Sequence, residues 1–198
     1  MFGLGSDNPG NAIELLKNDH DEVEKLFDQY EDAREESNAE LKAQIVATIC
    51  NALATHAQIE EEIFYPAVHK GIDDAADLVD EATVEHRMVR ALVDDLAVAT
   101  PDDELYDAKV KVLSEYVKHH VREEEGEIFP LARKSEIDLD ALGARLVRRK
   151  EELAAEAAKP IAARRRTRNG SHTAKNGQSR GRHAAKTTTR KTAAHGRH

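Results

Sequence analysis

The sequence predicts an all-α protein: an antiparallel up-down-up-down four-helix bundle with an additional C-terminal helix and a disordered basic tail. Three observations carry this. The 198 residues are rich in Ala, Glu, Leu, Val and Lys and include only ten Gly and five Pro, which favours helix over turn-rich β architectures. Apolar residues recur at alternating spacings of three and four, the period of one helix face. The pattern then occurs twice, as two helical hairpins with matched chemistry.

The elements follow in order. Asn8-Pro9-Gly10-Asn11 leads into a first helix, about Ala12 to Arg34, with a seam of Ile13, Leu16, His20, Val23, Phe27 and Tyr30. Ser37 or Asn38 caps a second helix that starts near Ala39 and runs towards Lys70-Gly71, with seam Ile45, Ile49, Ala52, His56, Glu60 and Ile63. Pro66 lies inside that stretch and is expected to kink or end the helix near Tyr65. A third helix starts at Asp73 or Asp74 and carries Val79, Ala82, His86, Val89, Val93 and Leu96. Thr100-Pro101-Asp102-Asp103 reads as a helix start, with a hydroxyl cap, Pro in the first turn and acids at the positive end of the dipole. The fourth helix carries Leu113, Tyr116, His120, Glu124 and Ile128 and meets Pro130, and a fifth, about Leu139 to Ala158, carries Leu142, Leu146 and Leu153. Short connections between such helices give antiparallel neighbours.

Charge divides the chain. Residues 161–198 hold eleven of the 29 basic residues and none of the 38 acidic ones, which leaves residues 1–160 at −20. The expected domains are therefore a helical unit, 1–160, and a tail, 161–198. The tail lacks Phe, Tyr, Trp, Leu and Val, so it cannot offset the entropy of ordering. Its chemistry suits a polyanion. Without aromatic stacking platforms, any nucleic-acid binding is expected to be blind to sequence and sensitive to salt. No apolar run approaches the ~20 residues of a membrane span, so no membrane contact is expected. Met1–Gly10 lacks the basic and apolar regions of a secretory leader. Cys50 is the single cysteine, which excludes an internal disulfide and a Cys-rich zinc site. The expected location is cytoplasmic.

The repeat is internal and specific. Shifting the first helix by 66 residues places His20 on His86 and Val23 on Val89. Shifting the second by 64 places His56 on His120, Glu60 on Glu124 and Pro66 on Pro130, so that HAQIEEEIFYP aligns with HVREEEGEIFP. Each hairpin thus carries His on its first helix and His-x-x-x-Glu on its second. Residues four apart share a helix face, and all six groups fall where a bundle would place Leu. Buried unpaired carboxylates cost several kcal/mol. Four imidazoles and two carboxylates satisfy one another best around metal. Neutral imidazoles leave a net −2, suited to two cations, and this donor set suits iron, with manganese or zinc less favoured. His119 also has a Glu four residues on, Glu123, but the repeat and the seam both select His120. Glu61 and Glu125 match in the repeat, either as partners of the site or as surface charges. Tyr30, Tyr65 and Tyr116 read mainly as core, Cys50 as a buried apolar residue and His69 as exposed.

The words LLKNDHDEVEKLF, HAQIEEEIFYP, EHRMVRALVDDL and HHVREEEGEIFP, spread over about Ala12 to Ala132, resemble the hemerythrin-like, HHE cation-binding family. The resemblance implies an up-down-up-down bundle around a non-haem di-iron centre with an oxo or hydroxo bridge. His20 and His56 would hold one iron, His86 and His120 the other, and Glu60 and Glu124 would bridge. Oxygen-carrying members have a fifth His on the third helix. Here Arg90 lies four beyond His86 and Ala82 four before it. Those members also end in His-x-x-x-x-Asp rather than His-x-x-x-Glu, so a symmetric site is expected and simple oxygen carriage is not. The resemblance implies a small oxidant as partner (oxygen, nitric oxide or hydrogen peroxide), an oxidative-stress role and catalase-like peroxide breakdown as one form of the chemistry. The alternative is a metal- or redox-responsive sensor whose tail contacts nucleic acid without turnover. A third reading is an acidic scaffold. Ferritin-like Glu-x-x-His pairs and the zincin His-Glu-x-x-His are absent.

Overall fold

The computed structural model describes Gly10 to Ala158, and the expected basic tail lies outside the described residues. The described chain is all-helical. Helix α1 spans Ala12–Glu35, α2 Ala39–Ile59, α3 Tyr65–Gly71, α4 Ala76–Ala97, α5 Tyr106–Glu123, α6 Phe129–Lys134 and α7 Leu139–Ala158. Two π-helical turns, Glu60–Phe64 and Glu124–Ile128, join α2 to α3 and α5 to α6. The four arms of the bundle are therefore α1, α2 with α3, α4, and α5 with α6. Helix α7 is appended and packs on α1 and α2.

Local chemistry sets the ends. Asn11 closes a capping box with Glu14, accepting from its backbone N–H at 3.1 Å while the Glu14 carboxylate takes the Asn11 N–H. Asn38, not Ser37, caps α2 by accepting from the Leu41 N–H. The segment at Thr100 departs from expectation. Asp103 folds back to accept the Thr100 N–H at 2.7 Å, making a turn, and α5 begins only at Tyr106, which is buried. Pro66 does not end its arm. The Tyr65 N–H donates to the Glu60 carbonyl five residues back, and the Phe129 N–H does the same to Glu124. This wider register precedes each proline and absorbs the proline's missing donor without a break.

The core forms two apolar clusters. One gathers Ile13, Leu16, Ile59, Phe64, Val68, Val79, Phe129 and the α7 residues Leu142 and Leu146. The other gathers Val23, Phe27, Tyr30, Ile49, Leu53, Val89, Leu96, Val110, Leu113 and Val117. The chain crosses from one cluster to the other at His20, His56 with Glu60, His86, and His120 with Glu124. The α1 seam is buried throughout. In the second and fourth arms the expected seam is buried except at one position each, where the next residue takes its place. Leu53 and Val117 are buried, whereas Ala52 is only partly so and Tyr116 is exposed. Cys50 is buried and His69 exposed. Lys42, unnoticed in the sequence, is also buried. Its ammonium lies 2.5 Å from Asp107 and 5.8 and 5.7 Å from the Tyr30 and Tyr106 ring centres, an ion pair flanked by aromatic faces.

Helix α7 seats through a glycine. A Cβ at Gly143 would lie 2.6 Å from the Gly10 carbonyl oxygen and 2.9 Å from the Ala12 nitrogen. Both are backbone atoms at the start of α1, so neither side can yield cheaply. Gly143→Ala is therefore expected to destabilise the fold by about 1–3 kcal/mol despite the better helix propensity of alanine. Denaturant unfolding checks this, and an unchanged or raised midpoint would contradict it.

Candidate metal centre

The six seam residues converge in one buried layer. His20, His56, His86 and His120 are 3–7% exposed, Glu60 is 0% and Glu124 1%. The Nε2 atoms of His20 and His56 lie 3.0 Å apart, and those of His86 and His120 lie 3.2 Å apart. The carboxylates link the two pairs. Glu60 Oε2 lies 3.2 Å from His56 Nε2 and 3.4 Å from His86 Nε2. Glu124 Oε2 lies 3.3 Å from His20 Nε2 and 4.0 Å from His120 Nε2. Each carboxylate therefore faces both pairs. Two ligand clusters with cation-binding spacing result: His20, His56, Glu60 and Glu124, and Glu60, His86 and His120.

The outer nitrogens carry a second circle of acids. His20 Nδ1 lies 3.0 Å from Glu125, His86 Nδ1 3.1 Å from Glu61 and His120 Nδ1 2.8 Å from Glu85. Asp19 stands 3.5 Å from His56 Nδ1 and takes Lys150 of α7 on its other oxygen. A carboxylate at Nδ1 holds the proton there and turns the Nε2 lone pair inward, the tautomer that binds a cation. Glu61 and Glu125 thus touch the site rather than solvent alone. Asp19 and Glu85 were missed in the sequence. The signal was present, since they immediately precede His20 and His86 and coincide under the 66-residue shift. His119 is instead half-exposed, 3.2 Å from Glu123 and 3.5 Å from Glu85, outside the layer.

The electrostatics show what the layer lacks. None of the four oxygens of Glu60 and Glu124 makes a hydrogen bond, and the imidazole nitrogens at 3.2–4.0 Å act on them as neighbouring charges. Burial, then repulsion from Glu124, pushes the Glu60 carboxyl up. Burial opposes ionisation of Glu124 as well, but the imidazoles of His20, His120 and His56 outweigh it and hold that carboxyl down at about 2. His56 is opposed by burial yet driven up to about 10 by Glu60 and Asp19, whereas burial and the neighbouring imidazoles push His86 down to about 2. The two facing pairs thus differ: His56 of one is driven towards its protonated form, whereas His86 of the other is kept neutral. Protons sit where a shared cation would relieve both the facing lone pairs and the orphaned carboxylates. The donor set fits a metal pair on this ground.

The two halves are not identical. Phe129 stacks on His20 with ring centres 5.9 Å apart, and its repeat mate Tyr65 stacks on His86 at 5.5 Å. The Tyr65 hydroxyl lies 3.5 Å from His86 Nε2. Burial, then the charges of Glu124 and Glu60, push its pKa well above the ordinary phenol value, so it keeps its proton.

The chain matches the family model for the hemerythrin HHE cation-binding domain over residues 11–132. It is similar in structure to a hemerythrin HHE cation-binding domain-containing protein from Mycobacterium kansasii, with a TM-score of 0.64 and 25% identity over 80% of this chain and 99% of that one. It is also 31% identical over 133 residues to a Nostoc sp. protein named a DNA nickase, across 65% of this chain. The match spans only 36% of that relative's length. No described helix is long and apolar enough to cross a membrane.

The unpartnered carboxylates carry a cost in the metal-free protein. Replacing the one that burial and its neighbour push up, as Glu60→Gln, is expected to raise metal-free stability by about 1–3 kcal/mol, because a neutral amide is cheaper to bury and no longer repels Glu124. Thermal unfolding in excess chelator measures this, and a lowered midpoint would contradict it.

Proposed function

The chain belongs to the hemerythrin HHE cation-binding family, and from that premise we propose that its buried layer holds two iron ions that bind or react with a small oxidant. His20 and His56 would hold one ion and His86 and His120 the other, with Glu60 and Glu124 shared between them. The observation that carries this reading is the pair of fully buried carboxylates, without a hydrogen bond, each facing one imidazole of either pair. Imidazole with carboxylate suits iron over thiolate-seeking metals, and manganese or zinc are the lesser candidates. Iron, when bound, supplies the change of oxidation state. The substrate class is oxygen, nitric oxide or hydrogen peroxide, and peroxide breakdown is the catalytic form of that chemistry.

The chain's own groups shape the reaction. Glu125, Glu61 and Glu85 orient the imidazoles of His20, His86 and His120, and Asp19 sets its charge 3.5 Å from His56 Nδ1. The two apolar clusters exclude bulk water on either side of the layer, which strengthens every charge interaction within it. Tyr65 Oη holds a proton beside His86 and can donate it as a hydrogen bond to a small molecule there.

His56→Ala and Glu124→Ala are each expected to lose most of the bound metal and much of the metal-dependent stability, since the remaining ligands stay buried and unpaired. His119→Ala should lose neither. Metal content per chain and thermal unfolding check this. If His119→Ala empties the site while His120→Ala does not, the register of the fourth arm is wrong.

A second reading is favoured by the relative named a DNA nickase and by the acid-free basic stretch 161–198. In it the bundle is a metal- or redox-responsive module, delivered to nucleic acid by the tail. The full chain should then bind duplex DNA of arbitrary sequence with an affinity that falls steeply as salt rises. Fluorescence anisotropy across a salt series tests it. No binding at low salt, or a strong sequence preference, would contradict it.

A further inference from the structure

The repeat makes the six ligating groups nearly symmetric, but their surroundings differ in access. Between α1 and α5 runs an open cleft of about 540 Å³ lined by His20, Phe27, Val117, Val121, Glu125 and Gly126, among others. Inside the bundle, a separate small cavity of about 20 Å³ touches His20, His56, His86 and His120 and is otherwise walled by valine, leucine and alanine, with Asp19 the one further polar residue. His20, Val117 and Val121 line both spaces. One layer of side chains therefore separates the outer cleft from the chamber shared by the four imidazoles.

The counterpart face, between α4 and α2, is built differently. There Arg90 stands where the first hairpin has Glu24, and it crosses to Glu61 at 2.6 Å. Glu62 stands where the second hairpin has Gly126, and Arg149 of α7 binds it at 2.6 Å. At Gly126 the space is open, since an added Cβ would meet nothing within 4 Å. On the cleft side Glu125 is drawn back to Lys17 and His20.

We infer that the α1–α5 cleft is the port through which a small uncharged reactant reaches the buried layer, with Val117, Val121 and the His20 ring as its partition. The chamber limits what can enter. A water needs on the order of 10–15 Å³, so about 20 Å³ admits a molecule of only two or so non-hydrogen atoms. Its apolar walls favour a neutral oxidant over a strongly hydrated anion. The reactant's chemistry rests on the function proposed above, whereas the route rests on the cleft and the partition alone.

Gly126→Trp fills the cleft from an exposed position where the backbone leaves room. Ala54→Trp, at the repeat position of Lys118 on the counterpart face, is the control. Two readouts are taken. The first is the rate at which nitric oxide binds the iron(II)-loaded protein, followed by stopped-flow absorbance. The second is the rate at which diethyl pyrocarbonate modifies His20 and His86 in the metal-free protein, followed by mass spectrometry. In the unsubstituted protein His20 should react faster than His86. Gly126→Trp should slow nitric oxide binding and His20 modification by about tenfold, and Ala54→Trp should change both by less than about twofold. Val121→Ala should speed nitric oxide binding. Equal reactivity of His20 and His86, or equal slowing by the two tryptophans, would overturn the port. Failure to load iron would overturn the proposed function instead, and the carbethoxylation rates would still decide the route.

Discussion

The architecture turns on a single constraint: two carboxylates and four imidazoles must share the dry centre of a helical bundle. An ionised carboxylate in such a place costs several kcal/mol unless it is matched. Here the carboxylates of Glu60 and Glu124 make no hydrogen bond. Much of the surrounding structure serves that constraint. The π-helical turns begin at these two glutamates, the outer acids fix the imidazole rings, and α7 holds Asp19 in place through Lys150. The apolar clusters above and below give the layer its low dielectric, so that a bound cation is held by strong interactions and bulk water is kept away.

The duplication of one hairpin explains the near-symmetry, and departures from it mark where the two halves have been given different work. Phe129 and Tyr65 occupy the same position and stack on equivalent histidines, yet only Tyr65 brings a hydroxyl. Gly126 and Glu62 are likewise equivalent, yet one leaves a cleft open and the other is bound by Arg149. One half thus presents a hydroxyl beside its histidine, and the other an open cleft beside its own. Such differences are invisible in the ligands themselves and appear only when each residue is set beside its repeat mate.

Much of this was legible in the sequence. The helical period, read through His20 and His86, placed both residues inside, and the repeat chose His120 over His119. Where the reading slipped, the reason is physical. A period of 3.6 allows a step of three or four, so Ala52 and Tyr116 were read as seam positions that belong to Leu53 and Val117. The same slip occurred in both hairpins. The π-helical turns were not legible, because Pro66 and Pro130 mark where a helix is disturbed but not how the backbone accommodates it. Thr100-Pro101-Asp102-Asp103 carries helix-start chemistry, but Asp103 spends its carboxylate on a tight turn. Lys42 reads as a surface lysine until Asp107 and two tyrosines, far along the chain, close around it.

Everything proposed for the buried layer depends on its being a two-cation site. Crystals of the iron-loaded protein, measured on either side of the iron absorption edge, test it most directly. Two anomalous peaks are expected inside the bundle, one beside His20 and His56 and one beside His86 and His120, with Glu60 and Glu124 reaching both. A single peak, no peak, or a peak only at the outer cluster of Glu85, His119 and Glu123 would contradict it.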